Sequence, residues 1–259
     1  MRLRRLLAGG LAFALAATAL GSVNAHAAPA AADEPEPVVI VAGTTAAQPI
    51  ADVFYSTLAH RLERDGFEPF IFGLPGGGLS DIADTAQALS DFTDGVLAAT
   101  GDDTVSLVGH SQGGLVGRYY IRFLGGEANV DNMVSLATPH RGTDLARLAE
   151  LFRLGDIGLC VACEQMAPGS DFLAALNAGD DSFGDVEYTN LVTRFDEIVF
   201  PFANGLLQPD GNNTNVTVQD QCFFRLVGHL TMATDGTVYS GVRQALQGQD
   251  DIRLNCFAL

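Results

Sequence analysis

With 259 residues, 47% of them hydrophobic, the chain has enough apolar material for one large core. Its formal charge of −17 excludes nucleic acid and anionic membranes as expected partners, because such a surface repels phosphate. Every basic residue is an arginine, so chemistry that needs a lysine (a P-loop, a pyridoxal Schiff base, a Ser-Lys pair) is excluded as well.

In chain order, residues 1–27 open with MRLRR, continue through an apolar alanine-rich run and end at Ala25-His26-Ala27. This is the layout of a secretory signal cleaved after Ala27, and it predicts an extracellular protein. Cleavage removes Arg2, Arg4 and Arg5 and no acid, leaving 31 acids against 11 arginines and a net charge of −20. Residues 28–36 (APAAADEPE) read as a flexible leader, and 37–259 as a single domain. No other apolar run is long enough to span a bilayer, so no integral membrane association is expected.

PVVIVAG (37–43) is a short β-branched run stopped by glycine, the pattern of a strand buried on both faces; FEPFIFGLP (67–75) and TVSLVG (104–109) repeat it. TLAHRLERDG between the first two reads as a helix. After a Ser80 cap, Ile82, Ala86, Leu89, Phe92 and Val96 recur at helical spacing. LVGRYYIRFLGG forms a further helix ended by Gly125 and Gly126. NMVSLATP (132–139), TNLVTRF (189–195) and CFFRLVG (222–228) read as strands, the last before a closing helix near TVYSGVRQALQ. This alternation predicts an α/β fold, a mostly parallel sheet with helices on both faces. Residues 143–187 interrupt it with two helical patterns, which predict a helical cap over one end of the sheet.

Cys160, Cys163, Cys222 and Cys256 make an even count in an exported chain, which favours disulfides over zinc. Three connectivities are open; the favoured one pairs Cys160 with Cys163, and Cys222 with Cys256.

The chemistry centres on TVSLVGHSQGGLVGR (104–118). A buried-strand pattern precedes Ser111 and a helix follows it, so the serine sits on a tight turn flanked by Gly109 and Gly113, the setting of a nucleophile elbow. A serine hydroxyl needs a positioned base, and the base needs an orienting acid. Of the histidines, His60 falls on a helix surface, His110 packs beside the elbow, and His140 is the competitor. His229, in the loop after the last strand pattern, is the expected base. VTRFDEIVFP offers Asp196 and Glu197 at a strand end between Ser111 and His229; Asp196 is favoured because it comes first and is shorter. The backbone amide of Gln112 and that of Thr44, in the loop after the first strand, are the expected oxyanion donors, with the Thr44 hydroxyl a further one.

With these residues placed, the sequence resembles the secreted α/β-hydrolase lipases and esterases of bacteria and is similar to the fungal lipase B group, as in Candida antarctica. The matching stretches are VVIVAGTT, LVGHSQGGLVGRYY, ATPHRGT, CEQMAPGSDFLAALN, FDEIVFP and the stretch from Cys222 to His229. The resemblance implies an α/β-hydrolase fold and hydrolysis of carboxylic esters, including triacylglycerols, through an acyl-enzyme on Ser111. It also supports Cys160–Cys163 as a local disulfide in the cap. No cofactor is implied, and no metal-ligand set is matched. The expected partner is an ester or acylglycerol at a lipid–water interface, met by a monomer. Leu145, Leu148, Leu151 and Phe152, with Phe200, Phe202, Leu206 and Leu207, are expected to line an acyl site or lid, plain packing being the alternative. Short-chain carboxylesterase, polyester depolymerase and acyltransferase are the rival enzymes, and a secreted binding module without chemistry the rival of another class.

Overall fold

Five residues without a polar side chain leave no face to show to water, and Pro37–Val41 forms strand β1 with every residue buried. The computed structural model in which this is seen describes residues 35–144 and 160–259. The proposed signal, most of the leader, and Leu145, Leu148, Leu151 and Phe152 lie outside the described residues. The strands after β1 are β2 (Glu68–Phe72), β3 (Val105–His110), β4 (Val130–Leu136), β5 (Glu187–Val192) and β6 (Asn213–Thr217). They form one six-stranded sheet in the order β2-β1-β3-β4-β5-β6, and every neighbouring pair is parallel.

Three helices fill the early crossovers: α1 (Ile50–Arg64), α2 (Ile82–Thr100) and α3 (Gln112–Phe123). A C-terminal helix, Gly236–Leu246, follows the sheet. Parallel crossovers are right-handed. The step from β1 to β2 runs one way along the sheet and the step from β2 to β3 runs the other, so α1 covers one face and α2 the opposite one. The helices packed beside them agree with this, α3 against α2 and the C-terminal helix against α1. Gly117 of α3 lies against Leu107 and Met133, whereas Gly241 of the C-terminal helix lies against Leu191, which alternation places on the other face from Met133. In α1, Ala51, Tyr55, Leu58, Ala59 and Leu62 are buried at helical spacing.

The reversal of strand order places a crevice at the carboxyl ends of β1 and β3, the position where open α/β sheets bind ligands. The loop from Gly43 and the turn at Ser111 both open there. The expected cap, 143–187, is described in part: the first helical pattern lies almost wholly outside the described residues, the second forms the helix Asp171–Leu176, a short helix Val161–Gln165 precedes it, and Glu187 already opens β5.

Two expectations are corrected. The last strand is Asn213–Thr217 and not 222–228. NTNVT is too polar to read as a strand, but it lies at the sheet edge, where one partner suffices and Asn190 Nδ2 donates to Asn215 Oδ1 at 3.0 Å. Residues 222–228 turn instead. Cys222 is tied to Cys256, Arg225 donates twice to Asp235 Oδ2, and Phe223 and Leu226 point to solvent, 80% and 78% exposed. The cap of α2 is Asp81 rather than Ser80, its carboxylate accepting from Ala83 N at 2.8 Å. The favoured cysteine pairing is present as two disulfides, Cys160–Cys163 and Cys222–Cys256.

Candidate active site

Strand β3 ends at His110 and α3 begins at Gln112, so the chain reverses at the single residue Ser111. It does so at φ 54° and ψ −124°, left-handed backbone that residues with a Cβ rarely adopt. The turn is held from both sides: Ser111 N donates to Leu136 O at 2.8 Å, and Gly114 N donates to Ser111 O at 3.1 Å. Two glycines make this possible. A Cβ at Gly109 would stand 2.6 Å from Gly114 N, and one at Gly113 would meet the carbonyls of Val41 and Ala42. Both obstacles are main chain and cannot rotate away. Gly113→Ala is therefore expected to cost about 3 kcal/mol, the upper end for an overpacked core, read as a lower midpoint in urea unfolding with an unchanged slope.

The buried histidines differ in what their ring nitrogens do. His140 Nε2 lies 2.7 Å from Asn190 Oδ1, and its Nδ1 faces Arg118 NH1 at 3.4 Å. Burial first, then the charge of Arg118, holds His140 well below the usual histidine range. His110 is also committed at both nitrogens, to Tyr55 Oη at 2.9 Å and to the His229 carbonyl at 3.0 Å. Burial, with His229 second, pushes its imidazole down to about 3. His229 is different. Its Nδ1 faces both carboxylate oxygens of Asp196 at 3.0 Å, while its Nε2 is buried with no hydrogen-bond partner among the described residues. A single open ring nitrogen, with the other anchored on a carboxylate, is the arrangement a general base requires. His60 sits exposed on α1 beside Glu63.

Asp196 and Glu197 divide the work of fixing His229. Asp196 Oδ1 also accepts from the amides of Ile198 at 2.9 Å and Val199 at 2.7 Å, so the carboxylate is oriented before it meets the imidazole. Glu197 Oε2 accepts from His229 N at 2.9 Å and anchors the main chain of the same residue. The adjacent acids that sequence left ambiguous thus hold two different atoms of one histidine.

On the other side of Ser111, the loop after β1 commits most of its amides. Gly43 N donates to Tyr55 Oη at 2.8 Å, Thr45 N to Gly77 O at 2.7 Å and Ala46 N to Gly43 O at 3.2 Å. The Thr44 amide has no such partner among the described residues, and the Gln112 amide is the first of α3, where helix geometry supplies no acceptor. The side chains of these two residues meet: Thr44 Oγ1 donates to Gln112 Oε1 at 2.8 Å, and Gln112 Nε2 donates to Gly78 O at 2.9 Å. The Thr44 hydroxyl is therefore already engaged, contrary to its expected use as an additional donor.

Ser111 and His229 line one cavity of about 270 Å³ with Gly43, Thr44, Ile50, Phe54 and Leu230 among its walls. Phe200, Phe202, Leu206 and Leu207, expected there, are not lining residues of this cavity. Gly205, in the same segment, lies against Val192 of β5, and Leu207 N donates to Asn215 Oδ1 of β6, which ties the segment to the far end of the sheet. Phe200 is exposed, and Arg194 stacks over the Phe202 ring at 5.0 Å.

A family model of the α/β hydrolase fold matches residues 36–156, from β1 through the elbow and beyond β4. The chain has the α/β-hydrolase fold. Its sequence is 32% identical over 139 residues to a triacylglycerol lipase of Burkholderia plantarii, covering 52% of this chain and 38% of that protein. It is also 32% identical over 113 residues to one of Pseudarthrobacter phenanthrenivorans, covering 42% and 35%. The match thus spans little more than a third of the length of these curated relatives. Among solved structures, lipase B of Aspergillus fumigatus superposes with a TM-score of 0.70 at 18% identity, over 84% of this chain and 54% of that one. The mature lipase BlEst2 of Bacillus licheniformis gives 0.60 at 16% identity, over 78% and 88%.

Within this fold, sequence reading missed Tyr55, Phe54 and Ile50 on α1 as residues of the site. They carry only the signal of an amphipathic helix, and their place beside Ser111 follows from the packing of Phe54 and Tyr55 against His110 at the end of β3. Glu197 was legible as half of an acidic pair, although its role through the His229 amide was not. Among the described residues, no group of three or more His, Cys, Asp or Glu is placed to hold a metal ion, and no helix is long and apolar enough to cross a membrane.

Proposed function

We propose that this chain is a secreted serine ester hydrolase, and that its substrates include triacylglycerols. The observation that carries the reading is the pair of ring nitrogens on His229, one anchored on Asp196 and the other open, buried and beside the cavity that Ser111 lines. The likeness of residues 36–156 to α/β hydrolases and the identity with two triacylglycerol lipases support it. Export is supported by the signal pattern of residues 1–27 and by the two disulfides, which are characteristic of oxidising compartments.

In the proposed reaction, Ser111 Oγ attacks the ester carbonyl and its proton passes to His229 Nε2. Asp196 keeps Nδ1 protonated and stabilises the imidazolium. The carbonyl oxygen gathers negative charge facing the amides of Thr44 and Gln112, and the start of α3 adds its positive end. Collapse breaks the ester C–O bond, and the departing alkoxide takes the proton from Nε2, leaving an acyl-Ser111. Water repeats the sequence, losing its proton to Nε2 as it attacks, and releases the carboxylic acid.

A second reading, short-chain carboxylesterase, is favoured by one observation: at about 270 Å³ the cavity lies at the lower end of small-molecule sites. Initial rates of the purified protein on esters from acetate to oleate separate the two. For a lipase, kcat/KM rises with acyl length into the long-chain range; a maximum at acetate or butyrate moves the assignment to the short-chain enzyme. No hydrolysis of any member would remove the ester-hydrolase reading.

A further inference from the structure

His110 is buried, aromatic in its contacts and unused in the reaction above, yet it occupies the position next to Ser111 and lines the same cavity. Its hydrogen bonds join two parts of the site that lie far apart in sequence. Gly43 N–H reaches Tyr55 Oη at 2.8 Å, Tyr55 Oη reaches His110 Nδ1 at 2.9 Å, and His110 Nε2 reaches the His229 carbonyl at 3.0 Å.

The direction of each bond is fixed by its ends. The His229 carbonyl can only accept, so His110 carries a proton on Nε2. A neutral ring has one proton, which leaves Nδ1 as an acceptor. Tyr55 must then donate its hydroxyl hydrogen to Nδ1, and its oxygen is free to accept from the Gly43 amide, which can only donate. Every donor meets an acceptor, and no second proton arrangement satisfies all four groups. Burial of His110 keeps the ring neutral, and Phe54, stacked at 6.2 Å from it, closes the cavity side.

We propose that Tyr55 and His110 are positioning residues: one proton-ordered chain sets the loop carrying the Thr44 amide and the main chain of His229 in a fixed relation across Ser111. The inference rests on the proposed ester hydrolysis. It is distinct from the orientation of the His229 ring by Asp196, because the chain acts on the backbone of His229 and on the oxyanion loop. A general base and an oxyanion donor must both stand within a few tenths of an ångström of their places relative to one nucleophile. Here a single connected set of bonds along the cavity wall performs that alignment.

Tyr55→Phe deletes only the hydroxyl. It is expected to lower kcat about 10- to 100-fold with KM within about twofold, because alignment in the transition state is lost while the cavity wall is kept. His110→Gln, which keeps an amide donor for the His229 carbonyl, is expected to retain more activity than His110→Ala. The double variant Tyr55→Phe/His110→Gln should lose little beyond its worse single, as members of one chain do. Nitrogen NMR of the unmodified protein gives a readout independent of activity: His110 is expected as the Nε2-protonated neutral tautomer from pH 5 to 8. A Tyr55→Phe enzyme with unchanged kcat would overturn the proposal, as would a His110 signal that titrates near the ordinary histidine value or reports the Nδ1-protonated form. Failure of the hydrolase reading is distinguishable, for it would leave the wild-type protein without esterase activity whatever the tautomer of His110.

Discussion

Ser111→Ala is expected to lower kcat for ester hydrolysis about 10⁶-fold while leaving the fold in place. The size follows from removing the atom proposed to form the acyl intermediate: with no hydroxyl at residue 111, the proposed base His229 would have nothing to deprotonate except water, and water is not held at the carbonyl. Residual catalysis from the oxyanion amides and from binding leaves about 10³-fold over the uncatalysed reaction. The fold is spared because the anchoring bonds of the turn are main chain, from Ser111 N to Leu136 O and from Gly114 N to Ser111 O, and alanine retains both. Alanine also has a Cβ and meets the same backbone restriction at φ 54° as serine, so the strain of the turn is unchanged. The melting temperature is therefore expected within a few degrees of the wild type, and a variant that unfolds would mean that the turn depends on the hydroxyl.

The second large effect is expected at Asp196. Asp196→Asn keeps an oxygen for the amides of Ile198 and Val199, so the loop that presents residue 196 is retained. The other arm becomes an NH2 group facing His229 Nδ1. Because Nδ1 stands 3.0 Å from both arms, the donor arm competes with the retained oxygen and favours the ring with its proton on Nε2, which presents Ser111 with a donor where the proposed reaction needs an acceptor. The expected loss in kcat is about 10⁴-fold, from a wrong tautomer rather than a displaced ring. Steady-state kinetics combined with a thermal melt checks this: the rate should collapse and the melting temperature should not. Glu197→Gln, which retains an oxygen for the His229 amide, serves as the control, and an equal loss there would show that the two acids have not been told apart.

Much of this arrangement is legible in the sequence because burial and covalent connectivity write it there. TVSLVG, short, β-branched and stopped by glycine, reads as a strand covered on both faces, and the glycines around Ser111 announce a turn too tight for a Cβ. The position of His229 after the last crossover, and of an acid at the end of β5, follow from chain order. What sequence did not reveal depends on neighbours. NTNVT pairs as β6 because β5 offers it an edge and asparagine side chains bridge the strands, which no periodicity records. CFFRLVG carries the hydrophobicity of a strand, but a disulfide at Cys222 and the Arg225–Asp235 pair bend it and leave its phenylalanines at the surface.

The site shows the same division. Ser111, Asp196 and His229 were named from residue type and order, and the structure places Asp196 on His229 and opens Ser111 onto the same cavity. The cavity walls were sought in Leu145, Leu148, Leu151 and Phe152, which lie outside the described residues, and in the apolar residues after Asp196, which do not line it. Among the described residues the walls come from α1, the loop after β1 and Leu230, with α1 meeting the elbow where Tyr55 Oη lies 2.9 Å from His110 Nδ1. Tyr55 was indistinguishable in sequence from any other core residue of an amphipathic helix; only its hydroxyl, between Gly43 and His110, marks it out.

The most direct test of the account is covalent. Incubation of the purified protein with an activated alkyl phosphonate ester, followed by intact and peptide mass spectrometry, is predicted to add one phosphonyl group per chain, on Ser111, with loss of ester hydrolysis in step with labelling. Ser111→Ala should take up none. Labelling elsewhere with Ser111 unmodified, or hydrolysis that persists after complete labelling, would contradict the central assignment.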